Sequence, residues 1–362
     1  MPHVPGPARL RDRVERGYNG VRESARVSEG TDLTRLGLAV GHATDEAGAT
    51  GLTVIRGIDG GLRAAAYTVG RATGSRELHA ATTEHGGGGR IDAIMLTGGS
   101  AYGLDAAAGV MRWMEVRSRG VSVGPGVVPI VPAAVIFDLA PLGRYDARPT
   151  ADMAILATEL AKPAGFAEGS VGVGTGATVG KILGPARAMK GGFACAIESL
   201  PDVAVAAMVV VNAFGDVRDA SGNIIAGARS PGGGFADAMR VLQHADLAAP
   251  IPLEAAVQNT TLAVVACSAP LSAVELAQLA RAASAAMFRR ITPCGSSVDG
   301  DVVFAISPES GERWNFEVAG RRRPLAPMII EALAVAALER AIERAVRLAR
   351  GRDGVPGLAD SW

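Results

Sequence analysis

The chain has 362 residues, of which 48% are apolar and 20% charged, enough for the core of one large domain or two smaller ones. Lys plus Arg and Asp plus Glu each number 36, so the net charge is zero and no basic field favours a nucleic-acid partner. The 47 glycines predict an α/β protein with many close backbone turns.

The cysteines, histidines and apolar runs indicate the cellular compartment of the protein and whether it binds a metal or spans a membrane. Three widely separated cysteines argue against a disulfide framework and fit a reducing compartment, so we expect a cytoplasmic protein. No cysteine pair or histidine motif has metal-ligand spacing, so no metal is expected. Apolar runs are too short for a membrane span. Residues 1–30 are charged and broken by prolines, which predicts a mobile arm rather than a secretion signal.

The first third of the chain predicts short strands at 36–41, 52–56 and 91–96. Gly98, Gly99 and Ser100 follow the last of these, and Ser100 suits the N-cap of a small-residue helix over 101–113. Strand, glycine turn and helix N-terminus would aim backbone N–H groups at one point, which suits an oxyanion or a carboxylate. Close packing explains the two glycines equally well.

The other elements are expected from prolines, alternation and helix caps. Residues 127–137 are expected to form an irregular buried segment or an edge strand. Helices are expected at 151–161, 235–244, 328–350 and from the capping box Ser272 to Glu275, and strands at 203–211 and 302–306. A loop is expected at 216–234 and a proline-stiffened linker at 248–253. Asn212 ends the strand at 203–211, where its amide would lie at the edge of a site or close a turn.

A glycine-rich stretch, GSVGVGTGATVGK at 169–181, partly matches two nucleotide-binding motifs. A Walker loop ending at Lys181 would need glycine at 175 and serine or threonine at 182, where the chain has Thr175 and Ile182. The spacing Gly172-x-Gly174-x-x-Ala177 fits a loose dinucleotide fingerprint, but the strand required before it is weak. A nucleotide-binding protein using residues 172–181 therefore remains one alternative.

Asn259, Thr260 and Thr261 lead directly into the apolar run 262–267, which places Thr260 at the entrance of a buried strand. A hydroxyl there can attack the preceding carbonyl. Cleavage of the Asn259–Thr260 bond would free an α-amine with a pKa of about 8, a general base for its own side chain. The same residues also form a glycosylation sequon and an ordinary strand start, so the four residues alone leave cleavage open.

Acidic, cysteine and tyrosine side chains supply the remaining candidates. Asp299 and Asp301 bracket Gly300, as either a charge-and-hydrogen-bond device or turn chemistry. Cys267 and Cys294 are weak nucleophile candidates, because neither has a histidine nearby in sequence and Cys267 lies in an apolar strand. The final pocket candidates, which the sequence does not place, are Tyr102 and Tyr145.

Several motifs of this chain, and the order in which they occur, resemble those of the DmpA-like family of self-processing N-terminal-nucleophile hydrolases. They are GHAT at 41–44, TGLTV at 50–54, LTGGSAYGLDAA at 96–107, VPAAVIFD at 131–138, the stretch 169–181, KGG at 190–192, VN at 211–212, NTT at 259–261 and DGDVVF at 299–304. The family includes L-aminopeptidase/D-esterases, β-aminopeptidases and nylon-oligomer hydrolases. The resemblance extends from about residue 33 to residue 346.

This resemblance implies a fold for the chain and a maturation step by self-cleavage. Residues 31–362 would form a single domain, a four-layer αββα sandwich of the N-terminal-nucleophile-hydrolase type. Self-cleavage would divide the chain into an α chain, 1–259, and a β chain, 260–362, and the product would be an oligomer of αβ heterodimers. Thr260 would be the nucleophile both in self-cleavage and in hydrolysis of short amides. No cofactor is implied.

The resemblance also implies roles for four more side chains. Lys181 matches an active-site lysine of the nylon-oligomer branch, and Asn212 matches an asparagine near the oxyanion. Asp299 and Asp301 match acidic positions of that branch where β-aminopeptidases carry serine and glutamate, which weakens the case for a β-peptide substrate. The implied substrates are small peptides or amides with a free amino group, or 6-aminohexanoate oligomers. A non-catalytic or uncleaved assembly protein of the same fold is the second alternative.

Physical roles follow for these side chains. Lys181 near the freed amine of Thr260 would lower the pKa of that amine by like-charge repulsion. Asn212 would donate to the oxyanion, a contribution on the order of 3 kcal/mol. Asp299 and Asp301 would orient the ammonium of Lys181 or of a substrate. Without the resemblance, a solvated loop cation, a turn-forming asparagine and loop carboxylates explain these residues.

Overall fold

The computed structural model describes residues 31–244, 259–311 and 326–360, together with the strand backbones at 26–27, 317–318 and 321–322. Most of the predicted arm at 1–30 and all of the predicted linker at 248–253 lie outside the described residues. In the described ranges, two large sheets and six α-helices form the body of the protein.

Eleven strands build the two large sheets. In chain order they are β1 (Leu38–Asp45), β2 (Thr50–Gly57), β3 (Leu62–Thr68), β4 (Ser75–Arg76), β5 (Arg90–Ile91), β6 (Ala93–Thr97), β7 (Ala133–Val135), β8 (Phe193–Ser199), β9 (Ala204–Asn212), β10 (Thr260–Cys267) and β11 (Val302–Pro308). The first sheet has the order β1-β2-β6-β7-β4 and the second β8-β9-β10-β11-β3-β5. Neighbouring strands are antiparallel except for β6–β7 and β10–β11.

The central strands β9 and β10 of the second sheet are buried on both faces, which explains their continuous apolar sequences. In β9 the odd-numbered valines Val205, Val209 and Val211 pack toward the helices, whereas Met208 and Val210 pack between the two sheets. This period of two is the geometry of a pleated strand. Strand β10 alternates in the same way, so its even-numbered residues face the first sheet.

Six α-helices lie in the described residues, and five of them cover the outer faces of the two sheets. They are α1 (Ala107–Glu115), α2 (Ala151–Glu159), α3 (Ala238–Gln243), α4 (Ala273–Ala283), α5 (Ala285–Arg290) and α6 (Ala326–Arg347). Helices α1 and α2 share a core with the first sheet, and α4, α5 and α6 share a core with the second. A third core lies between the sheets. The predicted αββα sandwich is therefore confirmed, with a core at each of its three interfaces.

Several predicted elements are confirmed in detail. Ser272 caps α4, and Glu275 returns the bond to the Ser272 backbone in a complete capping box. Helix α6 carries the expected i,i+4 ion pair between Glu343 and Arg347. None of the helices in the described ranges has the length and hydropathy needed to cross a bilayer.

The predicted helix over 101–113 is wrong at its start. A 3-10 helix occupies Ser100–Ala106, and the α-helix begins only at Ala107. Ser100 makes no side-chain cap bond and has a positive φ of 52°. Its N–H donates to the carbonyl of Ile136 at 3.0 Å, which holds the turn against the strand end rather than at a helix start.

Two other segments refine the expectations. The segment at 127–137 is the irregular, mostly buried alternative and not the edge strand, because its short strand β7 lies inside the first sheet, with Pro132 just before the paired residues. The segment at 216–234 is not a loop throughout, because it contains strands Asp216–Arg218 and Ile224–Ala226. The buried carboxylate of Asp216 accepts the N–H groups of Ala228 and Ala238 and so folds this segment back on itself.

Short strands complete the described secondary structure. They are Arg26–Val27, Val121–Ser122, Val127–Val128, Ala167–Glu168, Thr178–Val179, Met189–Lys190, Asp216–Arg218, Ile224–Ala226, Ile291–Thr292, Glu317–Val318 and Arg321–Arg322. The pair Thr178–Val179 and Met189–Lys190 is important for the site, because it frames the segment that carries Lys181.

Candidate active site

The ends of two neighbouring strands bring Thr260 and Asn212 together. Thr260 is the first residue of β10 and Asn212 the last of β9, and the two residues are direct partners in the antiparallel ladder. Both are even-numbered, so the pleat directs both side chains toward the first sheet. Each is buried, with exposed fractions of 6% for Thr260 and 0% for Asn212. The predicted nucleophile therefore lies beside the predicted asparagine.

The carbonyl of Asn259 accepts two hydrogen bonds. The hydroxyl of Thr260 donates to it at 2.6 Å, and the backbone N–H of Gly300 donates to it at 2.9 Å. An isolated parallel bridge between Asn259 and Asp299 extends the β10–β11 pairing to this residue. The Asn259–Thr260 peptide is thus held in place at the end of a sheet ladder, with the hydroxyl of Thr260 directly against the preceding carbonyl.

Lys181 is buried and bound to Asn212. Its Nζ donates to the side-chain oxygen of Asn212 at 2.9 Å and to the backbone carbonyl of Asn212 at 3.1 Å. The same side-chain oxygen accepts the N–H of Thr178 at 3.0 Å, and Nδ2 donates to the carbonyl of Phe137 at 3.2 Å. These contacts assign the amide orientation of Asn212. Lys181, with 3% exposure, is therefore not a solvated loop cation.

Burial changes the protonation of Lys181. Desolvation lowers the pKa of the Lys181 ammonium to about 7, and the negative charge of Asp299 opposes this shift. A second buried ammonium, that of Lys190, lowers the pKa of Lys181 further. A lysine with a pKa near 7 is about half unprotonated at neutral pH, so it can accept a proton as a general base.

Asp301 holds the backbone next to Thr260. One of its oxygens accepts the N–H of Thr261 at 2.5 Å, and the other accepts the N–H of Gly295 at 3.0 Å and the thiol of Cys294 at 3.2 Å. Burial and then the neighbouring charge of Asp299 raise the pKa of Asp301 to about 6. Because both oxygens are occupied, these contacts favour positioning of residues 260–261 over binding of a substrate ammonium.

Asp299 occupies a different position in the same turn. Its carboxylate accepts the N–H of Ser296 at 2.8 Å, and its backbone carbonyl accepts the N–H of Ala72 at 2.9 Å. Asp299 is 2% exposed. Among the carboxylates around Lys181, its negative charge has the largest effect on the pKa of the lysine. This supports the expectation that one of the paired aspartates orients the lysine ammonium.

Sequence reasoning missed Asp138 and Lys190. Asp138 is buried and accepts the N–H of Gly99 at 2.6 Å and the hydroxyl of Thr50 at 2.7 Å, and it directly follows Phe137, which binds Asn212. Burial raises the pKa of Asp138 to about 6. Both residues lie within motifs of the family resemblance, at 131–138 and 190–192, and that was the signal available from the sequence.

The pocket candidates separate into two groups. A Cβ at Gly98 would lie 2.1 Å from the carboxylate of Asp138, so this glycine makes room for the carboxylate that fixes the turn. Tyr102 and Tyr145 are instead 52% and 62% exposed, and their rings stack on Arg148, with its guanidinium 3.5 Å and 5.8 Å from the ring centroids. The structure links the Gly98–Gly99 turn to Asn212 through residues 137–138 but gives the tyrosines no such link.

The nucleotide-binding alternative lacks its structural context. Residues 172–174 form a 3-10 turn, and the chain continues through short strands to Phe193 without an α-helix. A phosphate-binding loop needs a helix N-terminus directly after its glycines. Lys181 also binds Asn212 inside the protein instead of facing solvent. The fingerprint match is therefore explained by close packing of the glycines.

The cysteine alternative is also disfavoured. Burial raises the pKa of the Cys267 thiol to about 11, and burial together with Asp301 raises the pKa of Cys294. Thiols in such surroundings stay protonated and are weak nucleophiles. Among the described residues, no group of three or more His, Cys, Asp or Glu side chains has an arrangement that could hold a metal ion.

Comparison with known proteins identifies the family. The family model described as peptidase family S58 matches residues 31–359. The chain belongs to peptidase family S58. Membership of this family supports hydrolysis of amide bonds by this protein, because that is the reaction of a peptidase.

Two curated relatives show the range of this similarity. A protein of Mycobacterium tuberculosis described as an uncharacterized aminopeptidase is 38% identical over 285 residues, which is 75% of this S58 chain and 78% of the relative. A 6-aminohexanoate-oligomer endohydrolase of Kocuria sp. is 33% identical over 278 residues, or 75% of this chain and 73% of the relative. The chain thus resembles proteins described as acting on peptides and on nylon oligomers.

Solved structures support the fold. The L-aminopeptidase D-Ala-esterase/amidase of Ochrobactrum anthropi, described as a new variant of the Ntn hydrolase fold, matches with a TM-score of 0.64 at 20% identity over 92% of each chain. A Burkholderia β-aminopeptidase matches with a TM-score of 0.61 at 21% identity over 94% of each chain. At these identities the matches establish the shared architecture.

Proposed function

We propose that this S58 chain is a precursor that cleaves itself between Asn259 and Thr260 and then acts as an amide hydrolase with Thr260 as its N-terminal nucleophile. The observation that carries the proposal is the hydrogen bond from the Thr260 hydroxyl to the carbonyl of Asn259, 2.6 Å long and buried. This bond places the hydroxyl against the peptide bond before it, and Lys181, a lysine of lowered pKa, binds Asn212, the ladder partner of Thr260.

Self-cleavage would begin with an N-to-O acyl shift. Oγ1 of Thr260 attacks the carbonyl carbon of Asn259, the C–N bond breaks, and the proton lost by Oγ1 is returned to the leaving nitrogen of Thr260. The resulting ester links Asn259 to the side chain of Thr260. Water then hydrolyses this ester, which leaves a carboxylate on residue 259 and a free α-amine on residue 260. The products are the α chain, 1–259, and the β chain, 260–362.

In the mature enzyme the same hydroxyl would attack the substrate amide. The freed α-amine of Thr260 or the neutral amine of Lys181 takes the hydroxyl proton, and that proton passes to the amine that leaves the substrate. Asn212 Nδ2 is the proposed side-chain donor to the oxyanion, and the oxygen of the same amide orients Lys181. Water hydrolyses the acyl-enzyme. Asp299 and Asp301 act on Lys181 and on the backbone beside Thr260.

The favoured substrates are short amides with a free amino group, either peptides or 6-aminohexanoate oligomers. The names of the relatives support both classes. The paired Asp299 and Asp301 support the nylon-oligomer branch, as the resemblance implied. We also propose assembly into an oligomer of αβ heterodimers and, because Cys195, Cys267 and Cys294 are all free thiols, a cytoplasmic location.

The test is a matched pair of isosteric variants, Thr260→Val and Thr261→Val. The side chain of Thr261 faces the helices, so Thr261→Val should still be cut, whereas Thr260→Val should stay whole and inactive. Intact mass and N-terminal sequencing follow cleavage, and the wild-type fragment should begin Thr-Thr-Leu-Ala-Val. Hydrolysis of amino-acid amides and 6-aminohexanoate oligomers follows activity. Cleavage and wild-type turnover in Thr260→Val would overturn the proposal.

The same experiment separates the second alternative. A wild-type chain that folds, stays in one piece and hydrolyses none of these amides would indicate the non-catalytic assembly protein of the same fold. Cleavage at a bond other than Asn259–Thr260 would keep a self-processing hydrolase but reject Thr260 as its nucleophile.

A further inference from the structure

We propose that the backbone N–H of Gly300 is the oxyanion donor for self-cleavage, and that residue 300 is glycine because any side chain would occupy the place of the nucleophile. This inference rests on the proposed cleavage at Asn259–Thr260 and adds a group that the sequence did not indicate as catalytic. Gly300 appeared there only as the spacer between Asp299 and Asp301.

The first step of the argument concerns the two donors on the Asn259 carbonyl. One is the hydroxyl of Thr260, and the other is the N–H of Gly300. When Oγ1 attacks the carbonyl carbon, its proton leaves, so this first donor is lost just as negative charge develops on the oxygen. Of these two donors, the N–H of Gly300, 2.9 Å from the same oxygen in the uncut chain, stays in place. Its distance fits the range for an oxyanion-hole donor.

The second step concerns how firmly this N–H is held. The carbonyl of Asp299 accepts the N–H of Ala72 at 2.9 Å, and the carbonyl of Asp301 accepts those of Val69 and Gly70 at 2.9 and 3.1 Å. The Asp301 side chain binds the N–H of Thr261. The residues on both sides of Gly300 are therefore tied to two other segments, and the peptide group that carries the N–H of Gly300 is itself held through the carbonyl of Asp299. A donor fixed in this way needs no reorganisation during the reaction, which is the condition for strong electrostatic stabilisation.

The third step explains the residue type. A Cβ built on Gly300 would lie 2.6 Å from Oγ1 of Thr260 and 2.9 Å from the carbonyl oxygen of Ala72. Gly300 is not among the residues with positive φ, so its backbone conformation is open to an L-residue. Space around the nucleophile, rather than backbone conformation, therefore requires glycine here.

The same geometry extends to the mature enzyme. After cleavage the carboxylate of Asn259 is free to leave, and the N–H of Gly300 still borders the hydroxyl of Thr260. A substrate carbonyl attacked by that hydroxyl would present its oxygen to the same N–H. The group would thus serve two reactions in succession.

The decisive experiment removes this N–H without adding bulk. In cell-free translation, residue 300 is replaced by hydroxyacetic acid through nonsense suppression, which exchanges the N–H for an ester oxygen. Cleavage is followed by gel and intact mass beside the wild type, Gly300→Ala and Thr260→Val. Gly86→Ala is the matched control, because a Cβ at Gly86 meets nothing within 4 Å. Circular dichroism checks that each chain has folded.

We expect the ester-containing chain to be cut on the order of 100-fold more slowly, as for loss of one oxyanion donor. Gly300→Ala should be slowed as strongly by its Cβ, and Gly86→Ala should match the wild type. A wild-type cleavage rate in either folded variant at 300, with Thr260→Val uncut, would overturn the role of Gly300 and leave the proposed function standing. Cleavage of Thr260→Val would overturn the proposed function itself.

Discussion

Two buried lysines lie in the same part of the fold and have different surroundings. Lys181 binds the side-chain and backbone oxygens of Asn212, in the field of the carboxylate of Asp299. Lys190 donates to the backbone carbonyls of Thr175 and Ala177, both at 2.7 Å. Desolvation lowers the pKa of each lysine to about 7. Burial alone therefore does not distinguish the lysine proposed to be catalytic from one expected to be structural, and the difference between them lies in the groups that each lysine binds.

The partners predict separate roles. The carbonyls bound by Lys190 belong to the glycine-rich segment that leads to Thr178, whose N–H binds Asn212. Lys190 thus stabilises the conformation of the glycine-rich segment. Lys181 instead binds Asn212 at the end of β9, where that strand pairs with Thr260. Substitution of each lysine by methionine, which has a similar length and no charge, tests this difference.

Lys181→Met should have the largest effect. If neutral Lys181 accepts the proton of Thr260, its loss should slow cleavage by roughly 10²- to 10⁴-fold. The fold should persist despite the lost donor, because the side chain of Asn212 keeps its bonds to Thr178 and Phe137. Cleavage is measured by gel after a pulse of cell-free translation, and folding by thermal unfolding of the purified chain. Wild-type cleavage in Lys181→Met would remove the lysine from the mechanism.

Lys190→Met should change stability more than chemistry. The carbonyls of Thr175 and Ala177 would lose a buried donor, which costs on the order of 1–3 kcal/mol of unfolding free energy for a buried polar group left unpaired. Denaturant unfolding of the uncut Thr260→Val background measures this cost. If Lys190→Met instead abolished cleavage in a chain of normal stability, the two lysines would share a catalytic role and the comparison would fail.

The family resemblance predicted the layers of this fold, and the apolar runs of the sequence predicted its two central strands. Strand β9 and the strand that begins at Thr260 were visible because both faces are buried, so apolar residues run without interruption. The adjacency of Thr260 and Asn212 came from the family resemblance, because strand pairing between residues 48 positions apart is a long-range property.

Other parts of the site could not be predicted from local patterns. The 3-10 helix at Ser100–Ala106 arises because Gly99 is bound by the distant Asp138 and Ser100 by Ile136, which overrides the local preference for a helix cap. The donor role of Gly300 depends on its distance to the Asn259 carbonyl, which no spacing rule gives. The protonation of Lys181 is a further case, because it follows from burial in the folded chain.

The pH dependence of cleavage gives the finest test of the two lysines. A lysine with its ordinary pKa of 10.5 would be unprotonated in roughly one molecule in 3,000 at pH 7. With its pKa lowered to about 7, half of the Lys181 population is neutral at that pH. The cleavage rate should therefore fall about tenfold for each pH unit below 7 and level off above it. A time course of the refolded precursor between pH 5 and 9 measures this profile.

Lys190→Met should move that profile in a defined direction. The ammonium of Lys190 lowers the pKa of Lys181, so its removal should raise the pKa of Lys181 and shift the inflection to higher pH. At pH 6 the variant would then cleave more slowly than the wild type, and at pH 9 the two rates would converge. A profile with no inflection near 7 in the wild type would mean that a group other than Lys181 determines the protonation state needed for self-cleavage.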